Sequence, residues 1–134
     1  MIEYLKYSVP GFVFSAGITP ANAGAALAAI RIHEREPERV KRVRVIAELF
    51  RQRARAAGLD IGGSAHAAIV PVMLGSTERA VAAYRSLFDS GVLALPIIYP
   101  AVPENAARLR FFFGALHTIG QIDRAIDALK EVIR

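Results

Sequence analysis

Residues 107–113 read Ala, Arg, Leu, Arg, Phe, Phe, Phe, and no other stretch of this 134-residue chain restricts its fold as tightly. In a strand, side chains alternate between the two faces, so Leu109, Phe111 and Phe113 point one way and Arg108, Arg110 and Phe112 the other. One face is oily and asks for a core; the other carries paired guanidiniums. Arginine presents a rigid fork of donors that matches a carboxylate or phosphate bidentately, so an arginine on a strand beside a cleft suits the fixing of a small acidic molecule. A proline-bounded loop holding Tyr99, Pro100 and Pro103 leads into this stretch.

At 54% hydrophobic, a chain of this length can bury roughly two-thirds of its unfolded surface as one domain. It has no cysteine, which excludes disulfides and thiolate metal sites and makes the cytoplasm the expected compartment. Apolar runs such as residues 67–74 fall well below the roughly 18–20 residues of a membrane span, and no charged-then-apolar leader pattern opens the sequence. A soluble chain without a membrane span is expected. The net charge of +5 is carried by residues 31–55, where nine basic side chains face four acidic ones. Such a stripe reads as the solvated face of a helix, and no aromatic platform or nucleic-acid motif accompanies it, so no nucleic-acid partner is expected.

Local signals order the elements. Thr19-Pro20 is a helix cap followed by proline at the first helical position, ahead of an alanine-rich run to about His33. After Pro37, a stripe of Val40, Val43, Ala47, Phe50, Ala54 and Ala57 predicts a second helix, stopped by Gly58. Residues 67–74 predict a strand, on an edge or at a bulge because Pro71 removes a ladder donor. Ser76 caps a third helix ending before Gly91, with Ala80, Tyr84, Leu87 and Phe88 inward. Residues 92–98 and 107–113 are the next strands and are expected to pair. Thr118 and Gln121 form a capping box ahead of Ile119, Ile122, Ile126, Leu129 and Val132, the inner side of a last helix.

The expected fold is therefore α+β: a small, mainly antiparallel sheet of about three strands with helices packed on one face. Residues 19–134 form this small domain. Residues 1–18 read as an N-terminal arm, because Tyr4, Leu5, Tyr7, Phe12 and Phe14 want a partner surface yet show no helix or strand boundary. A chain that opens on such a segment reads as a piece of something longer, in which Met1 need not be the natural start.

No Gly-rich phosphate loop, nucleophile elbow or histidine pair at metal spacing is present, so catalytic residues and metal ligands are expected to be absent. His33, His66 and His117 lie far apart and suit surface or capping roles. Gly62, Gly63 and Ser64 form either an anion-binding turn or a simple loop.

The tracts FVFSAGITPANAGAALAAI (residues 12–30), IVPVMLG (residues 69–75) and LPIIYPAVPENAARLRFFFGALHTIGQIDRAI (residues 95–126) resemble the C-terminal part of the α-oxoamine synthases. These fold-type I pyridoxal-phosphate (PLP) enzymes include 8-amino-7-oxononanoate synthase, 2-amino-3-ketobutyrate coenzyme A ligase, 5-aminolevulinate synthase and serine palmitoyltransferase. The similarity covers nearly all of this chain and about the last third of a typical member. It implies decarboxylative condensation of an amino acid with an acyl thioester in a complete, homodimeric enzyme.

By the same resemblance, Arg110 takes the place of the arginine that binds the substrate carboxylate. Ser15 matches a residue that touches the cofactor phosphate in the neighbouring subunit, while Ala16 replaces the usual hydroxyl or amide residue beside it. Ala101 stands where the loop commonly has a threonine, which removes one substrate hydrogen bond. The Schiff-base lysine motif, the aspartate that pairs with the pyridinium nitrogen and the residue stacked on the ring have no match; Lys6, in YLKYS, is not that motif. The chain alone is thus expected to bind no PLP and to catalyse nothing, its partner being a missing large PLP-binding domain. The alternative is a non-catalytic module that lends its surface to an active subunit. The residues that choose the amino acid, acyl chain and carrier belong largely to the missing part.

Overall fold

The computed structural model describes residues 1–133, which form two compact units that divide between Glu36 and Pro37. The first holds α1 (Ile2–Ser8), α2 (Pro10–Val13) and α3 (Pro20–Arg35). The Thr19 hydroxyl accepts from the Asn22 amide at 3.3 Å, which is the expected cap, and Pro20 follows it. The two short helices occupy the opening segment that showed no boundary in the sequence. None of the three helices has a buried residue, and Tyr4, Tyr7, Phe12 and Phe14 are all more than half exposed.

The second unit contains α4 (Glu38–Ala56), β1 (Ile69–Gly75), α5 (Thr77–Asp89), β2 (Leu95–Ile97), a 3-10 turn (Glu104–Ala106), β3 (Ala107–Phe112) and α6 (Ile119–Ile133). The sheet is antiparallel with order β1-β3-β2, an α+β fold as expected. β1 is an edge strand, the position that tolerates Pro71, and its register shifts farther along, between Met73 and Gly75. β2 keeps only three residues of the longer strand expected there. Instead, Gly91 takes a positive φ of 77° and the Val92 amide donates back to the Leu87 carbonyl at 2.8 Å, so this segment closes α5.

The same closure ends α4: Gly58 has φ 74°, and the Leu59 and Gly58 amides return to the carbonyls of Ala54 and Arg55. Ser76 accepts from the Arg79 amide, while Thr118 and Gln121 exchange both capping-box bonds, at 2.9 and 3.3 Å.

Helices α4, α5 and α6 cover the inner sheet face, where Val70, Val72, Leu109 and Phe111 meet Ile46, Phe50, Leu87 and Leu129. Phe50 lies 4.9 Å from Phe111 and 5.0 Å from Phe113, between ring centroids. Three expectations about inward faces are corrected. Phe88 and Ile119 are 58% and 50% exposed; Phe88 lies in the last turn of α5, and Ile119 is the first residue of α6. Ile46, outside the expected stripe, is fully buried.

Candidate functional site

β3 lies between two neighbours, so its backbone is fixed from both sides and its alternation is strict: Ala107, Leu109 and Phe111 are buried, whereas Arg108 and Arg110 are half-buried and Phe112 is exposed. Residues directly paired across strands share a face. Arg110 stands opposite Pro71 on β1 and Leu95 on β2, and Arg108 opposite Met73 and Ile97. The outer face is thus an apolar platform, with Ile69, Leu95 and Phe112 each exposed by 41–47%, on which two guanidiniums sit.

The two arginines are not equivalent. Arg108 Nε donates to the Ala106 carbonyl at 2.9 Å, the last residue of the 3-10 turn. Arg110 has no hydrogen-bond acceptor or ion-pair partner among the described residues. A guanidinium left without a protein acceptor on an open face keeps all its N–H donors available, a fork whose geometry matches a carboxylate or phosphate. At the Arg108 end of this strand pair, the loop between β2 and β3 contains a cis Tyr99–Pro100 bond and is held by the Ala101 amide on the Ile98 carbonyl (3.0 Å) and the Ala106 amide on the Pro103 carbonyl (2.9 Å).

Ser15 belongs to the first unit, just after α2, and is exposed; its hydroxyl donates to the Phe12 carbonyl at 2.6 Å, leaving its oxygen free to accept. Arg110 belongs to the second unit.

Of the histidines, His33 and His66 are exposed, and His117 Nδ1 accepts from the Gly114 amide at 2.8 Å, a turn-closing role. In the Gly62 turn, the Gly62 amide donates to Asp60 Oδ1 at 2.8 Å. The protein's own carboxylate occupies the donor an anion would use, which leaves the loop reading. No group of three or more His, Cys, Asp or Glu suited to a metal ion occurs among the described residues, and no described helix is long and apolar enough to cross a membrane.

Sequence reasoning missed Arg51. It was counted with the solvated stripe but is 2% exposed, with Nε on Glu48 at 2.8 Å and Nη1 on the Ala67 carbonyl at 2.7 Å. The Glu48 carboxyl is held below its ordinary value, chiefly by the hydrogen bond from Arg51. Arg51 forms part of an open groove of about 900 Å³ along α4, with Val45, Leu49, His66 and Ile119. Other members of the stripe are engaged too: Arg53 pairs with Asp123, and Arg42 reaches the His117 carbonyl.

The residues present do not make a PLP site by themselves. All three lysines, Lys6, Lys41 and Lys130, are exposed on helices, and Lys6 and Lys130 are ion-paired with Glu3 and Asp127 at 2.6 and 3.0 Å. A lysine serving as an amine nucleophile needs a desolvated or otherwise pKa-lowering pocket.

The family model for aminotransferase class I and II matches residues 1–129. The 8-amino-7-oxononanoate synthases of Fervidobacterium nodosum and Methylobacterium nodulans are 39% and 40% identical over 132 residues, each match covering 98% of this chain and 33% of the relative. A serine palmitoyltransferase variant from S. paucimobilis, solved with a bound PLP–myriocin aldimine, superposes with a TM-score of 0.85 at 26% identity, over 97% of this chain and 33% of that one. The 8-amino-7-oxononanoate synthase of Francisella tularensis shares the fold, with a TM-score of 0.80 at 21% identity, over 97% of this chain and 38% of that one. The chain spans about a third of the length of the curated relatives it matches. With the proline loop and the arginine strand where the resemblance expected them, the chain belongs to the aminotransferase class I and II family, on its α-oxoamine synthase branch.

Proposed function

We propose that this chain is the substrate-orienting C-terminal domain of a PLP-dependent α-oxoamine synthase, which condenses an amino acid with an acyl-CoA or acyl-carrier thioester with loss of carbon dioxide. When bound by the missing large domain, PLP supplies the electron sink that such chemistry needs. This chain's own contribution is position. Arg110 receives the substrate carboxylate in its fork, and holding a reactant in one orientation lowers the barrier without any proton transfer by the domain. The exposed aromatic residues of the arm, residues 1–18, are covered by the large domain or a second subunit in a cytoplasmic homodimer, where Ser15 meets the cofactor phosphate of the neighbouring subunit.

The observation that carries this reading is Arg110, which shares the open sheet face with apolar neighbours and has no acceptor among the described residues. In the complete polypeptide, Arg110→Gln is expected to weaken amino-acid binding by about a hundredfold, as loss of a charge-assisted, two-pronged hydrogen bond predicts. Its unfolding free energy should stay within about 0.5 kcal/mol of wild type, because no intramolecular bond is lost. Equal amino-acid affinity in wild type and variant refutes the assignment.

A further inference from the structure

The two arginines of β3 share a face and differ in attachment. Arg108 is half-buried, and its Nε donates to the Ala106 carbonyl at 2.9 Å. That carbonyl ends the 3-10 turn Glu104–Ala106, which closes the loop beginning after β2. The Ala106 amide is itself bonded to the Pro103 carbonyl, so the Arg108 side chain, the turn and the loop form one connected chain of hydrogen bonds. Ala106 lies toward the start of β3 and Arg110 toward its end, so this bond also draws Arg108 away from its neighbour. We propose that Arg108 is a positioning residue: its Nε clamps the corner where the loop at residues 98–106 enters β3, while the anion-binding task on this face falls to Arg110 alone. The inference deepens the carboxylate-binding reading of Arg110 and rests on it only for the division of labour.

The physical requirement is a donor at one particular atom, not a positive charge. Arginine Nε is the fourth side-chain heavy atom from the backbone. Glutamine places an amide N–H donor at that same count, and methionine places a methyl group there. The pair Arg108→Gln and Arg108→Met therefore removes the charge twice and the donor once.

Amide hydrogen exchange of the full chain reads the clamp directly, since local opening of the loop sets the exchange rates of the Ala101 and Ala106 amides. Arg108→Met should speed both by about fivefold, the loss of roughly one net hydrogen bond, while the Leu109 and Phe111 amides in the sheet stay as in wild type. Arg108→Gln should restore the loop rates to within twofold of wild type. Equal acceleration in the two variants, or none in Arg108→Met, overturns the clamp.

The division of labour is read in the complete polypeptide, by titration with glycine, L-alanine and L-serine in turn. Arg108→Gln should keep wild-type affinity for whichever of these binds; a loss comparable to that of Arg110→Gln makes Arg108 a second anchor and overturns the proposal. Should the loop behave as expected while Arg110→Gln also binds normally, the clamp is supported and the carboxylate reading of Arg110 is the part that fails.

Discussion

Arg51 is a buried guanidinium whose replacement has a calculable cost. Arg51→Met retains most of the apolar stem, so burial of the side chain is largely preserved. What disappears is the bond from Nε to the Glu48 carboxylate at 2.8 Å and, more costly, the charge-assisted bond to the Ala67 carbonyl at 2.7 Å, which fastens the segment before β1 to α4. Losing such a bond and leaving its acceptor unpaired costs about 2 kcal/mol, or roughly 6–10 °C in Tm for a domain of this size. Urea denaturation followed by circular dichroism measures it.

The pH dependence supplies a second check. The Glu48 carboxyl ordinarily titrates at 4.5, and its folded value is lowered, first by the hydrogen bond from Arg51. A lowered carboxyl stabilises the fold above its unfolded pKa, and this contribution is lost as pH falls through the folded value. The gap between wild type and Arg51→Met should therefore be full at pH 7 and narrow below pH 4.5. A variant within 0.5 kcal/mol of wild type at pH 7, or a gap unchanged down to pH 3, refutes this account of the buried arginine.

Gly91→Ala should destabilise the second unit by about 1–2 kcal/mol in the same assay, because its φ of 77° disfavours an L-residue and the new Cβ would stand 3.2 Å from Arg124 Nη2. That guanidinium cannot easily retreat, since it donates to the Ser90 carbonyl at 2.6 Å. Mixed with PLP, the full chain is expected to give no stoichiometric borohydride-trappable adduct at any one lysine. Mass spectrometry after reduction checks this, and a single-site adduct at Lys6 would mean that the arm builds a pocket around it.

The parts of the fold that were legible in sequence are those governed by local chemistry. Thr19 with Pro20, Ser76, and Thr118 with Gln121 each supply an oxygen at the spacing a helix start requires, and all three caps are formed. The alternation of residues 107–112 was legible because one face of β3 is fully covered and the other open. Tertiary relations were not legible. Arg51 and Arg55 look alike in a charge stripe, yet only Arg51 points at the Ala67 carbonyl, sixteen residues away. The short helices α1 and α2 bury nothing, so no apolar periodicity announces them. At the site, Arg110 could be singled out from its strand and the resemblance, but the tether on Arg108 depends on the turn at Glu104–Ala106, which has no distinctive sequence signature.

The central position of β3 makes the site intolerant of changes in chain length. A one-residue deletion between Pro103 and Arg108 would force either a bulge or a slipped ladder, and the slip would have to be made against both β1 and β2 at once. Slippage by one place turns Leu109 and Phe111 to solvent and drives both guanidiniums toward Phe50 and Leu129. Such a lesion would leave amino-acid composition almost untouched while abolishing folding and, with it, the anion binding proposed for Arg110, whereas equal shortening within residues 61–68, ahead of the edge strand, would disturb one ladder alone.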